Sequence, residues 1–130
     1  MSLHWCANYI GLPYHKENFH CWEAVRKIQR EQFERELPFI ANPETAIGQA
    51  HLYKNHPELL RWREVEDPVE GDVAQLRCSR HPRHIGVYVT DPIAGARILH
   101  CLEGNGCVAQ SVSDLLAHGW KIEGYYRFKG

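Results

Sequence analysis

The chain has 130 residues, a formal net charge of -1, and 44% hydrophobic against 24% charged residues, a balance that fits one packed domain over 1–130 and excludes a disordered or collagen-like chain. Its basic residues are dispersed apart from Arg26, Lys27 and Arg30, so nucleic acid is not expected as a partner. No apolar run approaches the roughly 18 residues of a membrane span, and no basic-then-apolar leader opens the sequence, so the expectation is a protein made in the cytoplasm without membrane contact.

Ser2 to Ile10 predicts a short helix, stopped by Gly11-Leu12-Pro13. After the loop Tyr14 to His20, the apolar positions Cys21, Ala24, Val25, Ile28, Phe33 and Leu37 recur with charges between them, which predicts an amphipathic helix that Pro38 ends. Asn42-Pro43 and Asn55-His56-Pro57 each read as an N-cap near a helix-starting proline, predicting two further short helices. Beyond Asp67 the texture changes to period two with β-branched residues in DVAQLRC, HIGVYVT, ARILHCLE, CVAQSV and YYRFKG, predicting antiparallel strands with turns at HPR, DPIAG and EGNG. One short helix, SVSDLLAHG, interrupts them with Ser113 as its cap. Helices first and strands afterwards predict an α+β fold, with helices packed on an antiparallel sheet of about five strands.

Five cysteines, Cys6, Cys21, Cys78, Cys101 and Cys107, are an odd number in a chain without a leader, so a disulfide framework is not expected. Cys21 stands where irregular sequence becomes helix. A buried core thiol is the ordinary reading of such a cysteine, but a helix start also favours thiolate. Lowering a thiol from about 8.5 to about 7 takes roughly 2 kcal/mol, and an exposed helix end supplies roughly 0.3 to 1 kcal/mol. An imidazolium close to the sulfur could provide the rest. His84, opening HIGVYV, and His100, in ARILHC, are strand histidines, and a cysteine at a helix start facing a strand histidine with a second polar residue to orient it is the general nucleophile, base and orienter arrangement, which this fold reading allows. A competing set, Cys78, His81 and His84 with Cys101 or Cys107, has zinc-ligand chemistry but matches no common zinc spacing. The serines of CVAQSVSD lack an elbow, EGNGC lacks a strand-to-helix context, and the tryptophans and tyrosines read as core or rim packing.

WCANYIGLPY, HCWEAVRKIQREQFERELP, GDVAQLR, HIGVYV and ILHCLEGNGCV together resemble the NlpC/P60 cysteine peptidase family, in particular its short phage and prophage members, over nearly the whole chain. The resemblance implies a papain-like core that hydrolyses amide bonds in bacterial cell-wall peptides, with no cofactor or metal. By position, Cys21 would be the nucleophile, His84 the base and His100 the third, orienting residue, and Tyr14, His20 and Trp22 would line the substrate site. It further implies peptidoglycan peptides as substrate and phage tail proteins as partners, with incorporation into a tail. Two positions depart from the family pattern. His20 replaces the usual aspartate before the nucleophile, where it would add positive charge or a hydrogen bond. Glu23 replaces a small residue after it, where its charge would oppose a thiolate. These departures favour the alternative of a structural tail-assembly protein that keeps the fold with weak catalysis; a zinc-binding module is the third reading.

Overall fold

The computed structural model describes residues 4–41, 56–78 and 81–130, with only the backbone described for 81–83. The helix expected from Asn42 lies outside the described residues, as does the side chain of His81. The architecture is α+β, a six-stranded antiparallel sheet with few helices. The strands are β1 Trp62–Val65, β2 Val73–Cys78, β3 His81–Asp91, β4 Gly95–Leu102, β5 Gly106–Gln110 and β6 Lys121–Phe128. They lie in the order β1-β6-β2-β3-β4-β5, every neighbouring pair antiparallel.

The sixth strand is β1, which the sequence reading missed because WREV is short and directly follows the short helix expected from Asn55. It pairs with β6, Trp62 opposite Phe128. The HPR turn is also corrected, because β3 already begins at His81. DPIAG and EGNG do turn the chain. At the first, the Asp91 carboxylate accepts from the N–H groups of Ile93 and Ala94, the Asx geometry that makes aspartate a turn former.

Helix α1, Cys21–Phe33, buries Cys21, Ala24, Val25 and Ile28, the i, i+3, i+4, i+7 stripe of an amphipathic helix. It ends earlier than predicted. Glu34 takes the left-handed conformation at φ 54°, and the N–H groups of Glu34 and Arg35 both reach the Gln29 carbonyl, satisfying end carbonyls as a helix stop does. Leu37 is buried beyond the helix end, where the residue before Pro38 is steered away from helix. Helix α2, Val112–Ala117, is capped by Ser111, whose side chain accepts from the Asp114 N–H. The expected cap, Ser113, lies inside the helix. Short 3₁₀ turns occupy Trp5–Asn8 and Pro57–Arg61; the second is capped by the His56 ring, which accepts from the Glu58 N–H.

The sheet separates two apolar clusters. On one face α1 packs Cys21, Val25 and Ile28 with Ile85, Val87, Val89 and Leu99. Burying Val25 or Ile28 there contributes about 1.5 to 3 kcal/mol each. On the other face Leu115 of α2 joins Ala74, Leu76 and Ile98, flanked by Tyr88, Trp120, Ile122 and Tyr125.

Candidate active site

The first turn of α1 has room for three backbone N–H groups to face an anion, as any helix start does. Cys21 is its first residue and is 9% exposed. His20, the residue before the helix, makes no side-chain cap bond. It is sealed in the interior at 2% exposure, and its Nε2 has no hydrogen-bond partner among the described residues. Burial pushes its pKa below the ordinary histidine value, against a smaller opposite pull from Glu23. His20 is thus biased toward the neutral ring, and it is enclosed directly before Cys21. Glu23 is engaged by Arg26, 3.3 Å from both carboxylate oxygens, while Arg26 Nε donates to the Leu37 carbonyl at 2.7 Å. The carboxylate that would oppose a thiolate is thus tied to a cation one turn along the same helix.

His84 and His100 come together. Their rings meet edge to face, centroids 5.0 Å apart, with His84 Nε2 2.8 Å from His100 Nδ1. A third residue extends the chain, for His100 Nε2 lies 2.8 Å from Gln110 Oε1. This pattern orders the protons. An amide oxygen only accepts, so His100 Nε2 donates to it; neutral His100 then has a bare Nδ1, which accepts from His84 Nε2–H. What remains is the unprotonated Nδ1 of His84, the atom a general base needs. Burial holds His84 far below the ordinary histidine range, helped by its neighbour His100. Burial also depresses His100 to about 4, with the Gln110 bond opposing. Both rings are neutral at pH 7, so the imidazolium expected to help stabilise a Cys21 thiolate is not preformed.

The strand period decides which groups share a face. Ile85, Val87 and Leu99 face α1 with Cys21. His84 and His100 alternate with them, and His84 lies against Trp120 at 5.0 Å between ring centroids, on the face covered by α2. The histidine pair and Cys21 therefore lie on opposite faces of the sheet. Trp22 and Ile85, the chain neighbours of Cys21 and His84, line one small apolar cavity with Gln75, Glu58, Trp62 and Tyr126. The Trp22 indole is fixed there by donating to the Pro38 carbonyl at 2.9 Å. The β2–β3 register shifts between Leu76 and Arg77, leaving Arg83 of β3 as the extra residue beside His84, and bulges are where strands re-aim side chains.

Tyr14 lines a separate open cleft of about 450 Å³ with His15, Lys16, Glu17, Glu103 and Gly104, beside the turn between β4 and β5. Neither cavity is lined by Cys21, His84 or His100. The alternative zinc set is divided by the sheet as well, since Cys101 and Cys107 pack with Ala24 of α1 while His84 lies on the other face. Among the described residues no group of three or more His, Cys, Asp or Glu is arranged to hold a metal ion, and no helix is long and apolar enough to cross a membrane.

Gln110 and Trp120 escaped the sequence reading. Gln110 was recoverable in principle: a three-residue turn at 103–105 sets Ile98 opposite Gln110, one pleat from His100 on the same face. Trp120 carries no local signal, because it reaches His84 only through the tertiary path from α2 into β6. No protein-family model matches the chain, and no curated protein matches it.

Proposed function

We propose that the chain is a thiol hydrolase of the NlpC/P60 type, with a papain-like core, acting on amide bonds of bacterial cell-wall peptides in a phage or prophage tail context. The observation that carries the reading is the histidine chain His84–His100–Gln110, whose proton order leaves a base nitrogen on His84. The Cys-Trp helix start and the His-Ile-Gly-Val-Tyr-Val strand support the family.

In the proposed mechanism His84 Nδ1 takes the Sγ proton of Cys21 as the sulfur attacks the amide carbon. Backbone N–H groups at the start of α1 stabilise the oxyanion. The imidazolium returns its proton to the leaving amine, and water then hydrolyses the thioester. His100 and Gln110 hold the His84 tautomer and spread the developing charge. The step requires His84 to be presented to Cys21 around the bulged end of β3.

A second reading, a structural tail protein that keeps the fold without efficient catalysis, is favoured by the placement of Cys21 and the histidine pair on opposite faces of the sheet. Release of soluble peptides from purified peptidoglycan separates the two. The hydrolase reading expects release by wild type, with loss of at least about 100-fold in Cys21→Ala and in His84→Ala. Folded wild type that releases nothing, with a Cys21 thiol alkylated no faster than a free cysteine at pH 6, supports the structural reading.

A further inference from the structure

Two of the five thiols face each other across a strand pair. Cys101 of β4 and Cys107 of β5 are direct partners in the register, exposed 0% and 2%. The main-chain bonds of Cys107 identify the kind of pair. Its N–H donates to the Leu12 carbonyl at 2.8 Å and its carbonyl accepts from the Gly11 N–H at 2.9 Å, so both groups point away from β4. Cys101 and Cys107 therefore form a non-hydrogen-bonded pair, whose Cα atoms stand about 4.5 Å apart with side chains at closest approach. That separation falls at the short end of what a disulfide spans. The interaction of the two side chains pushes Cys101 up and Cys107 down from the ordinary thiol value, so Cys107 is the more readily deprotonated of the two.

The surroundings connect this pair to the segment before Cys21. Cys101 and Cys107 pack with Ala24 in the first turn of α1, and with Leu12, Tyr14 and Phe19 of the loop that leads into it. The loop lies so close to the hairpin that a Cβ on Gly106 would meet the Leu12 carbonyl oxygen at 2.5 Å. Two residues beyond the pair lies the exposed turn 103–105, from which the hairpin can open locally to a small oxidant.

We propose that Cys101 and Cys107 are an oxidisable dithiol which hydrogen peroxide converts into a cross-strand disulfide, clamping the β4–β5 hairpin beneath the loop that enters α1. The Cys107 sulfur attacks one peroxide oxygen, the O–O bond breaks, and the departing hydroxide takes a proton to become water, leaving a sulfenic acid. The Cys101 sulfur then attacks the Cys107 sulfur, the S–O bond breaks, and the hydroxyl leaves as water with the Cys101 proton. Two thiols are oxidised and one peroxide is reduced to two waters. A dithiol reductant reverses the reaction.

The inference stands independently of the hydrolase reading, and its test reads linkage rather than activity. Folded Cys78→Ser protein, in which the exposed thiol of Cys78 no longer competes, is treated with hydrogen peroxide, unfolded, alkylated and digested with trypsin. Cys101 and Cys107 share the peptide Ile98–Lys121. The expected product is that peptide lighter by two hydrogens and unalkylated, its halves still joined after cleavage at Glu103, with Tm raised by about 3 to 8 °C and restored by dithiothreitol. In a Cys101→Ser variant the same treatment leaves Cys107 as a sulfenic acid that dimedone traps. Full alkylation of both cysteines after a treatment that oxidises Cys78 in wild type overturns the proposal, as does a disulfide joining either one to Cys6 or Cys21.

Discussion

Acidification tests the buried histidine pair directly. His100 is 1% exposed and its pKa falls from 6.5 to about 4, while an unfolded chain would protonate it near 6.5. Between those values the unfolded state binds a proton that the native state excludes, so stability is present above the unfolded pKa and drains away as pH falls toward the folded one. At 1.36 kcal/mol per unit, His100 alone withdraws about 3 kcal/mol over the whole interval and about 2 kcal/mol between pH 7.5 and pH 5. His84, depressed still further by burial and by its neighbour, acts in the same direction, as does buried His20. The assay is urea unfolding followed by tryptophan fluorescence at pH 7.5 and pH 5. Wild type is expected to lose at least about 2 kcal/mol, and the His100→Gln variant to lose about 2 kcal/mol less over the same interval. Equal stability at the two pH values, or imidazole resonances of His84 and His100 that titrate near 6.5, would refute the buried neutral pair.

Gln110→Glu puts a carboxylate on His100 Nε2 and should raise the His100 pKa above about 4, shrinking the acid-dependent loss, with nitrogen-15 shifts of the two imidazoles as the readout. Gly86→Ala drives a Cβ to within 2.6 Å of Ile98 and 2.9 Å of His100; it should cost about 1 to 3 kcal/mol in urea unfolding and disturb the His84–His100 resonances. Asp72 is 1% exposed and binds Arg127 at 2.9 Å and the Val69 N–H at 2.8 Å. Asp72→Ala takes the acceptor from the Val69 N–H and leaves Arg127 only its bond to the Asp67 carbonyl; it should cost about 1 to 3 kcal/mol, read as a lower urea midpoint, and an unchanged midpoint would mean that the buried carboxylate contributes nothing to the fold.

The sequence by itself determined the elements whose signals are local. The 3.6-residue stripe from Cys21 to Ile28 specified α1 and its buried face, the period-two runs specified five of the strands, and Asp91 specified its turn through its own side-chain chemistry. Cys21 at a helix start and the two strand histidines were legible for the same reason. Tertiary structure decided what lies far apart in the chain. Strand β1 exists because β6 returns between it and β2, a pairing of Trp62 with Phe128 that no local pattern encodes. The α1 stop at Phe33 depends on Glu34 adopting a left-handed conformation, which its residue type does not announce. Above all, only the register and the pleat could set His84 on the face of His100, Gln110 and Trp120 while Cys21 joined Ile85 and Leu99. The chemistry of a strand residue depends on its face, and a single step along the strand reverses it.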